Sequence, residues 1–161
     1  MHSSHHKPDL TLDLPAEADT LALGIALAPA LAAGMVVYLA GELGAGKTTL
    51  ARGILRGLGH SGRVKSPTFT LVEAYELSRL YLYHFDFYRF ESPRELDDAG
   101  LRECFGTHAL CLVEWPEKAG AKLPSADLTL AMYVAGSGRR VEVFAATEAG
   151  KACLDSIRRL S

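Results

Sequence analysis

Hydrophobic and polar positions along the chain fall into short alternating runs and longer apolar ones, and each kind predicts an element. DLTLDL at residues 9–14 alternates with the period of two that gives a strand one buried and one solvated face. Pro15 then opens a helix expected through about residue 33, with Glu17 and Asp19 in its first turn, where the helix dipole favours acids. Residues 21–40, LALGIALAPALAAGMVVYLA, carry no charge, and length alone would permit a membrane span. Gly24, Pro29, Gly34 and the Ala-rich composition split the run instead into a helix ending near Gly34 and a buried strand, MVVYLA, at 35–40.

A glycine loop follows, then a helix over about 47–58 closed by Gly59 as a C-cap. TFTLVEAYEL (68–77) and RLYLYHFDFYR (79–89) are extended runs across a short turn and predict an antiparallel hairpin. Strand parity puts His84, Asp86 and Tyr88 on one face, and Phe85, Phe87 and Arg89 on the other. SPREL starts a brief helix, with Ser92 as N-cap, Pro93 at N1 and Glu95 at N3. ALCLV (109–113) is a continuous apolar run suited to a central strand. DLTLAMYV and RRVEVFAA, joined across AGSG, predict a second hairpin, and EAGKACLDSIRRL a final amphipathic helix. Buried strands, a helical crossover and hairpins together predict a three-layer α/β domain with a mixed sheet over residues 9–161. A disordered tail at 1–8 precedes it.

Composition narrows the function classes. A chain of 161 residues can bury a real core. A net charge of −2 argues against a protein that coats nucleic acid, though not against a partner that holds RNA. Cys104, Cys111 and Cys153 have no metal-ligand spacing and read as buried free thiols of a reducing, cytoplasmic compartment. MHSSHHKPD lacks the apolar core of a secretory leader, and its histidines read as a tail rather than a metal site.

The chemistry enters at residues 41–48, GELGAGKT, which fits G-x-x-x-x-G-K-[ST] between a predicted strand and a predicted helix. Gly41, Gly44 and Gly46 let the backbone turn its N–H groups inward to cradle phosphates, and the following helix N-terminus favours anions. Lys47 can reach β- and γ-phosphates, the Thr48 hydroxyl can ligate Mg2+, and Thr49 can contact the α-phosphate. Such sites also need a carboxylate at the end of a neighbouring buried strand. Glu114, where the apolar run 109–113 stops, supplies it.

The chain has no asparagine and no T-K-x-D element, so ATP is preferred over GTP. It has no glutamine either, so a carboxylate or a partner protein must position any attacking water. Asp86 is a candidate on the hairpin, with an ion pair to His84 or Arg89 as its structural alternative.

In order and spacing, GELGAGKTT (41–49), VKSPTFTLVEAY (64–75), HFDFYR (84–89), ELDDAGLRE (95–103) and VEWPE (113–117) resemble the TsaE (YjeE) family. These are bacterial P-loop ATPases that act in making threonylcarbamoyl-adenosine on tRNA. The N-terminal helix, with Glu17 and Thr20, is similar too. The resemblance implies a P-loop NTPase-type fold, with four central parallel strands flanked by antiparallel ones. It implies ATP or ADP held by Glu17, Trp115 and the loop Gly41, Leu43, Gly44, Ala45, Gly46, Lys47, Thr48 and Thr49, with Mg2+ at Thr48 and Glu114. It implies that Lys47, Asp86 and Glu114 serve hydrolysis, and that Thr68 lies in a switch-like loop. Activity would be slow alone, and function would need a complex with TsaB and TsaD. There ATP turnover would reset the transferase, and tRNA would be reached only through the complex, with no membrane involved. Two other readings stay open: a small P-loop kinase acting on a metabolite, and a nucleotide-gated protein-binding module.

Overall fold

The computed structural model describes residues 7–67, 69–106 and 108–160. The first six residues of the expected tail, and Thr68, lie outside the described residues. The polar–apolar patterning becomes β1 (Leu10–Leu14), α1 (Glu17–Leu27), β2 (Val36–Ala40), α2 (Lys47–Gly57), β3 (Val72–Glu76) and β4 (Tyr81–Asp86). After these come α3 (Arg94–Asp98), β5 (Ala109–Glu114), β6 (Leu128–Ala135), β7 (Gly138–Ala145) and α4 (Glu148–Ile157).

The strands form one seven-stranded sheet in the order β1-β7-β6-β2-β5-β4-β3. β2 pairs in parallel with both β5 and β6, and β4 pairs in parallel with β5. The four inner strands β6, β2, β5 and β4 are therefore parallel, with antiparallel neighbours at each flank. β2 and β5 read as unbroken apolar runs because both of their faces are covered. Val37, Leu39, Leu110 and Leu112 pack under α1, α2 and α4 with Leu23, Leu27, Leu50, Ile54 and Leu154. Val36, Tyr38, Cys111 and Val113 point to the other face, against Phe85, Phe87, Phe90 and Leu96.

Three expectations are adjusted. The first helix ends at Leu27, and Pro29 sits in a 3-10 turn over Ala28–Ala30, because proline removes the N–H that an α-helix would need there. The uncharged stretch 21–40 is thus helix, turn and strand, and no helix among the described residues is long and apolar enough to cross a membrane. The first hairpin is shorter than its sequence run. β4 stops at Asp86, whose Oδ1 accepts the Tyr88 N–H at 2.9 Å, and Phe90 N–H then closes a turn on Phe87 O. A carboxylate that captures the N–H two residues on offers the backbone a turn in place of a ladder. Tyr88 therefore leaves the face shared by His84 and Asp86 and is exposed.

The helix from SPREL is a single short one, Arg94–Asp98. It starts one residue later than expected, with Pro93 rather than Ser92 at the N-cap and no cap hydrogen bond from that side chain, although the Glu95 carboxylate still accepts the Ser92 N–H at 3.0 Å. Of the three cysteines, all free, Cys111 and Cys153 are buried and Cys104 is only half-buried.

Candidate active site

A cleft of about 670 Å³ opens where β2, β4 and β5 end. In an open parallel sheet, the carboxyl ends of strands at a change of strand order are where ligands bind. β2 runs out at Ala40 into the glycine loop, which delivers α2 at Lys47. Gly46 precedes that helix in the left-handed region at φ 101°, a conformation that a side chain would strain. Gly41, at φ 139°, lies against the Met132 carbonyl, 2.5 Å from where a Cβ would sit.

Of the loop residues predicted at the nucleotide, Leu43, Gly44, Ala45, Gly46, Lys47, Thr48 and Thr49 line the cleft, and Gly41 does not. Gly41 shapes the loop from beneath. Glu17 and Thr20, from the first turn of α1, line it too. They are held there by the close approach of α1 to α2 at Gly24 and Gly53, where a Cβ would meet a backbone atom of the partner helix within 2.6 Å, and at Gly57, where it would lie 3.0 Å from Ile25 O.

Lys47 is only 5% exposed. Its Nζ donates to the Gly41 and Glu42 carbonyls, the second at 3.2 Å, and lies 4.1 Å above the Trp115 ring. Burial pushes its pKa down from the ordinary lysine value, while the charges of Glu114, Glu117, Asp86 and Glu42 pull the other way. The ammonium is thus desolvated and ringed by carboxylates. It is bonded to its own loop carbonyls, which an anion in the cleft could replace. Trp115 takes φ 56° just past β5 and lies 5.0 Å from the Tyr88 ring.

Asp86 and Glu114 are register partners at the ends of β4 and β5, each 3% exposed. Ser66 Oγ donates to Asp86 Oδ2 at 2.7 Å, and the Asp86 N–H donates to Leu71 O at 3.1 Å. The loop that carries Ser66 and Leu71, predicted as the switch-like segment, is therefore tied to Asp86 on both sides of Thr68. Thr68 itself lies outside the described residues.

The alternative of an ion pair from Asp86 to His84 or Arg89 is not what forms. His84 Nε2 meets Glu114 Oε2 at 2.6 Å, and the Arg89 guanidinium lies 4.2 Å over the Phe69 ring. Among the cleft residues outside the motifs is an arginine. Arg139 on β7 donates to Gly44 O at 2.9 Å and to Gly138 O at 2.8 Å. Only its place at the start of the second hairpin's return strand could have flagged it.

A helix N-terminus, a lysine and two adjacent buried carboxylates form a set that can hold a polyphosphate and a hard divalent cation together. Among the described residues no group of three or more His, Cys, Asp or Glu is arranged to hold a metal by itself. A Mg2+ ion here would depend on ligand phosphates as well, as it usually does in such sites.

Comparison with known proteins bears on what the cleft serves. A sequence profile described as "Threonylcarbamoyl adenosine biosynthesis protein TsaE" matches residues 14–141. A Haemophilus influenzae protein described as tRNA threonylcarbamoyladenosine biosynthesis protein TsaE is 50% identical over 117 residues, 73% of this chain and 74% of its own. A Bacillus subtilis protein of the same description is 43% identical over 113 residues, 70% of each chain. The crystal structure of Bacillus subtilis YdiB superposes with a TM-score of 0.79 at 29% identity, covering 98% of this chain and all of that one.

Proposed function

The chain belongs to the TsaE family and takes part in threonylcarbamoyl-adenosine biosynthesis on tRNA; we propose that it does so as a Mg2+-dependent ATPase acting on a TsaB–TsaD complex. The observation that carries the ATPase reading is the convergence of Lys47, Asp86 and Glu114, all buried, on the mouth of the glycine loop. Burying an ammonium and two carboxylates is costly unless they meet charge of their own. A triphosphate with its cation supplies that charge.

In this reading the loop N–H groups and the start of α2 hold the β- and γ-phosphates. Lys47 exchanges its Gly41 and Glu42 carbonyls for phosphate oxygens, and Trp115 lies beside the nucleotide. Thr48 and Glu114 would hold Mg2+, which neutralises charge developing on the β- and γ-oxygens. Asp86, kept in place by Ser66 and the Tyr88 N–H, orients a water. Its oxygen bonds to Pγ as the Pγ–O bond to ADP breaks, and the proton leaves through the carboxylate to solvent. The ties between Asp86 and the Ser66–Leu71 loop support a switch that senses the γ-phosphate, and so a signal to a protein partner.

The test is reconstitution with TsaB, TsaD, the carbamoyl-adenylate-forming enzyme and tRNA. Wild type should sustain many rounds of modification, while Lys47→Ala, Asp86→Ala and Glu114→Ala should stop after the first. Variants of both carboxylates that bind nucleotide and still sustain repeated rounds would remove hydrolysis from the function. Rapid phosphate transfer to a metabolite, indifferent to TsaB–TsaD, would make the protein a kinase.

A further inference from the structure

Among the described residues, one buried side-chain nitrogen or oxygen has no hydrogen-bond partner: Nδ1 of His84. The residue is fully buried on the face of β4 that also carries Leu82 and Asp86. The reaction proposed above uses Asp86 and Glu114 but gives His84 nothing to do. A histidine on a sheet face covered by leucines is expensive, and more so with one ring nitrogen unpaired. Leucine or phenylalanine would fill such a position at less cost, so the other nitrogen must account for it.

That nitrogen, Nε2, lies 2.6 Å from Glu114 Oε2. The contact follows from sheet register. Leu112 is paired with His84 and Glu114 with Asp86, so His84 and Glu114 are diagonal neighbours on one face of adjacent parallel strands. An ionised carboxylate only accepts, so the proton in this bond is on Nε2. A glutamate side chain at a strand end has several torsions free. Held by Oε2 from a fully buried ring, it keeps one orientation and leaves Oε1 for the cleft that it lines.

We propose that His84 is a positioning residue for Glu114: its Nε2–H fixes Oε2, so that Oε1 alone is presented to the cation and phosphates. The inference rests on reading Glu114 as the ion-side carboxylate. It predicts the same logic as the outer partner of a metal ligand, whose loss typically costs about 10–100-fold in metal affinity or activity.

His84→Leu should lower kcat by about tenfold or more and raise the Mg2+ concentration at half-maximal rate, with KM for ATP within about twofold. His84→Gln, whose side-chain amide can reach as Nε2 does, should recover most of the loss. Equal losses in both variants, an unchanged kcat in His84→Leu, or losses that follow a lowered melting temperature would overturn it.

A second measurement needs no turnover. In 15N-labelled wild type without nucleotide, His84 should show a protonated, strongly hydrogen-bonded Nε2, and a Nε2 without a proton would refute the bond. If wild type hydrolyses no ATP with or without its partners, the proposed function fails. The Nε2 signal then still decides whether His84 holds Glu114.

Discussion

The contact between α1 and α2 sets the width of the cleft, and Gly53→Ala tests it. A Cβ at position 53 would lie 2.5 Å from Leu21 O and 3.1 Å from the Leu21 and Gly24 Cα atoms. These are backbone atoms of α1, so no side chain can swing away. Ordinary contact begins at 3.4 Å, and α1 must therefore retreat by about 0.9 Å, the shortfall at Leu21 O. Overpacking of this kind costs about 1–3 kcal/mol, against a gain of about 1 kcal/mol from replacing glycine by alanine inside a helix. The net loss is about 0–2 kcal/mol, or up to about 8 °C in melting temperature for a chain of this size.

The same retreat moves Glu17 and Thr20, on the first turn of α1, away from the loop side of the cleft. Urea unfolding should show the stability loss, and ADP titration followed by Trp115 fluorescence should show weaker binding. Gly106→Ala is the control, since its Cβ would have nothing nearer than His108 Nδ1 at 3.9 Å, and it should stay within about 0.5 kcal/mol of wild type. A Gly53→Ala protein stabilised by helix propensity, or one that binds ADP as tightly as wild type, would refute the claim that backbone contact sets the spacing of the two helices.

Other consequences follow from the site and the core. Nucleotide should change the fluorescence of Trp115, the sole tryptophan, because the Lys47 ammonium 4.1 Å above its ring must leave to meet phosphate; Lys47→Ala should abolish the response. Ser66→Ala removes the hydroxyl bonded to Asp86 Oδ2 and should slow hydrolysis by about tenfold, the loss of one neutral-to-charged hydrogen bond, with ADP affinity retained. Arg139→Ala frees the Gly44 carbonyl and should weaken ADP binding by about five- to tenfold, measured by calorimetry. Burial pushes the Cys111 thiol up to about 12, above its unfolded value, so its contribution is full below about pH 9 and is lost as pH rises through about 12. Unfolding free energy should fall from pH 9 upward, by at most about 1.4 kcal/mol per pH unit from this group, and Cys111→Ala should flatten that slope.

What the sequence disclosed and what it withheld divide along local and non-local lines. The strand at 35–40, the loop at 41–48 and the apolar run at 109–113 are legible because periodicity and glycine placement act within a few residues. So is the ladder Leu10–Leu14, from simple alternation. The end of β4 is not, although its cause is local, because the aromatic run YLYHFDFYRF keeps strand propensity past the point where Asp86 captures a backbone N–H. Phe87 and Phe90, stacked at 4.6 Å, stay in the core through a turn rather than a strand. The His84–Glu114 pair joins residues 30 positions apart and depends on which strands are neighbours, which no window of sequence reports. Gly53 and Gly57 did carry a signal, since two glycines one turn apart inside a helix imply close approach. What approaches them is still a tertiary fact.

Strand order explains why these distant residues meet. The chain leaves β2 through the glycine loop and α2, lays down β3 and β4 at the far edge, and only then returns to insert β5 between β2 and β4. Three adjacent parallel strand ends thus carry the loop, Glu114 and Asp86 in turn. At about 4.8 Å between strands, they span about 10 Å, the scale of a triphosphate and its cation. Insertion also makes register decisive. A slip of one residue in β5 would turn Glu114 to the aromatic face with Val113 in its place, leaving His84 without any partner. The continuous apolar run Ala109–Val113 would tolerate such a slip, because both faces of β5 are buried and either set of side chains would suit them. The polar pair does not tolerate it. The histidine that orients the glutamate therefore also holds β5 in the register that builds the site.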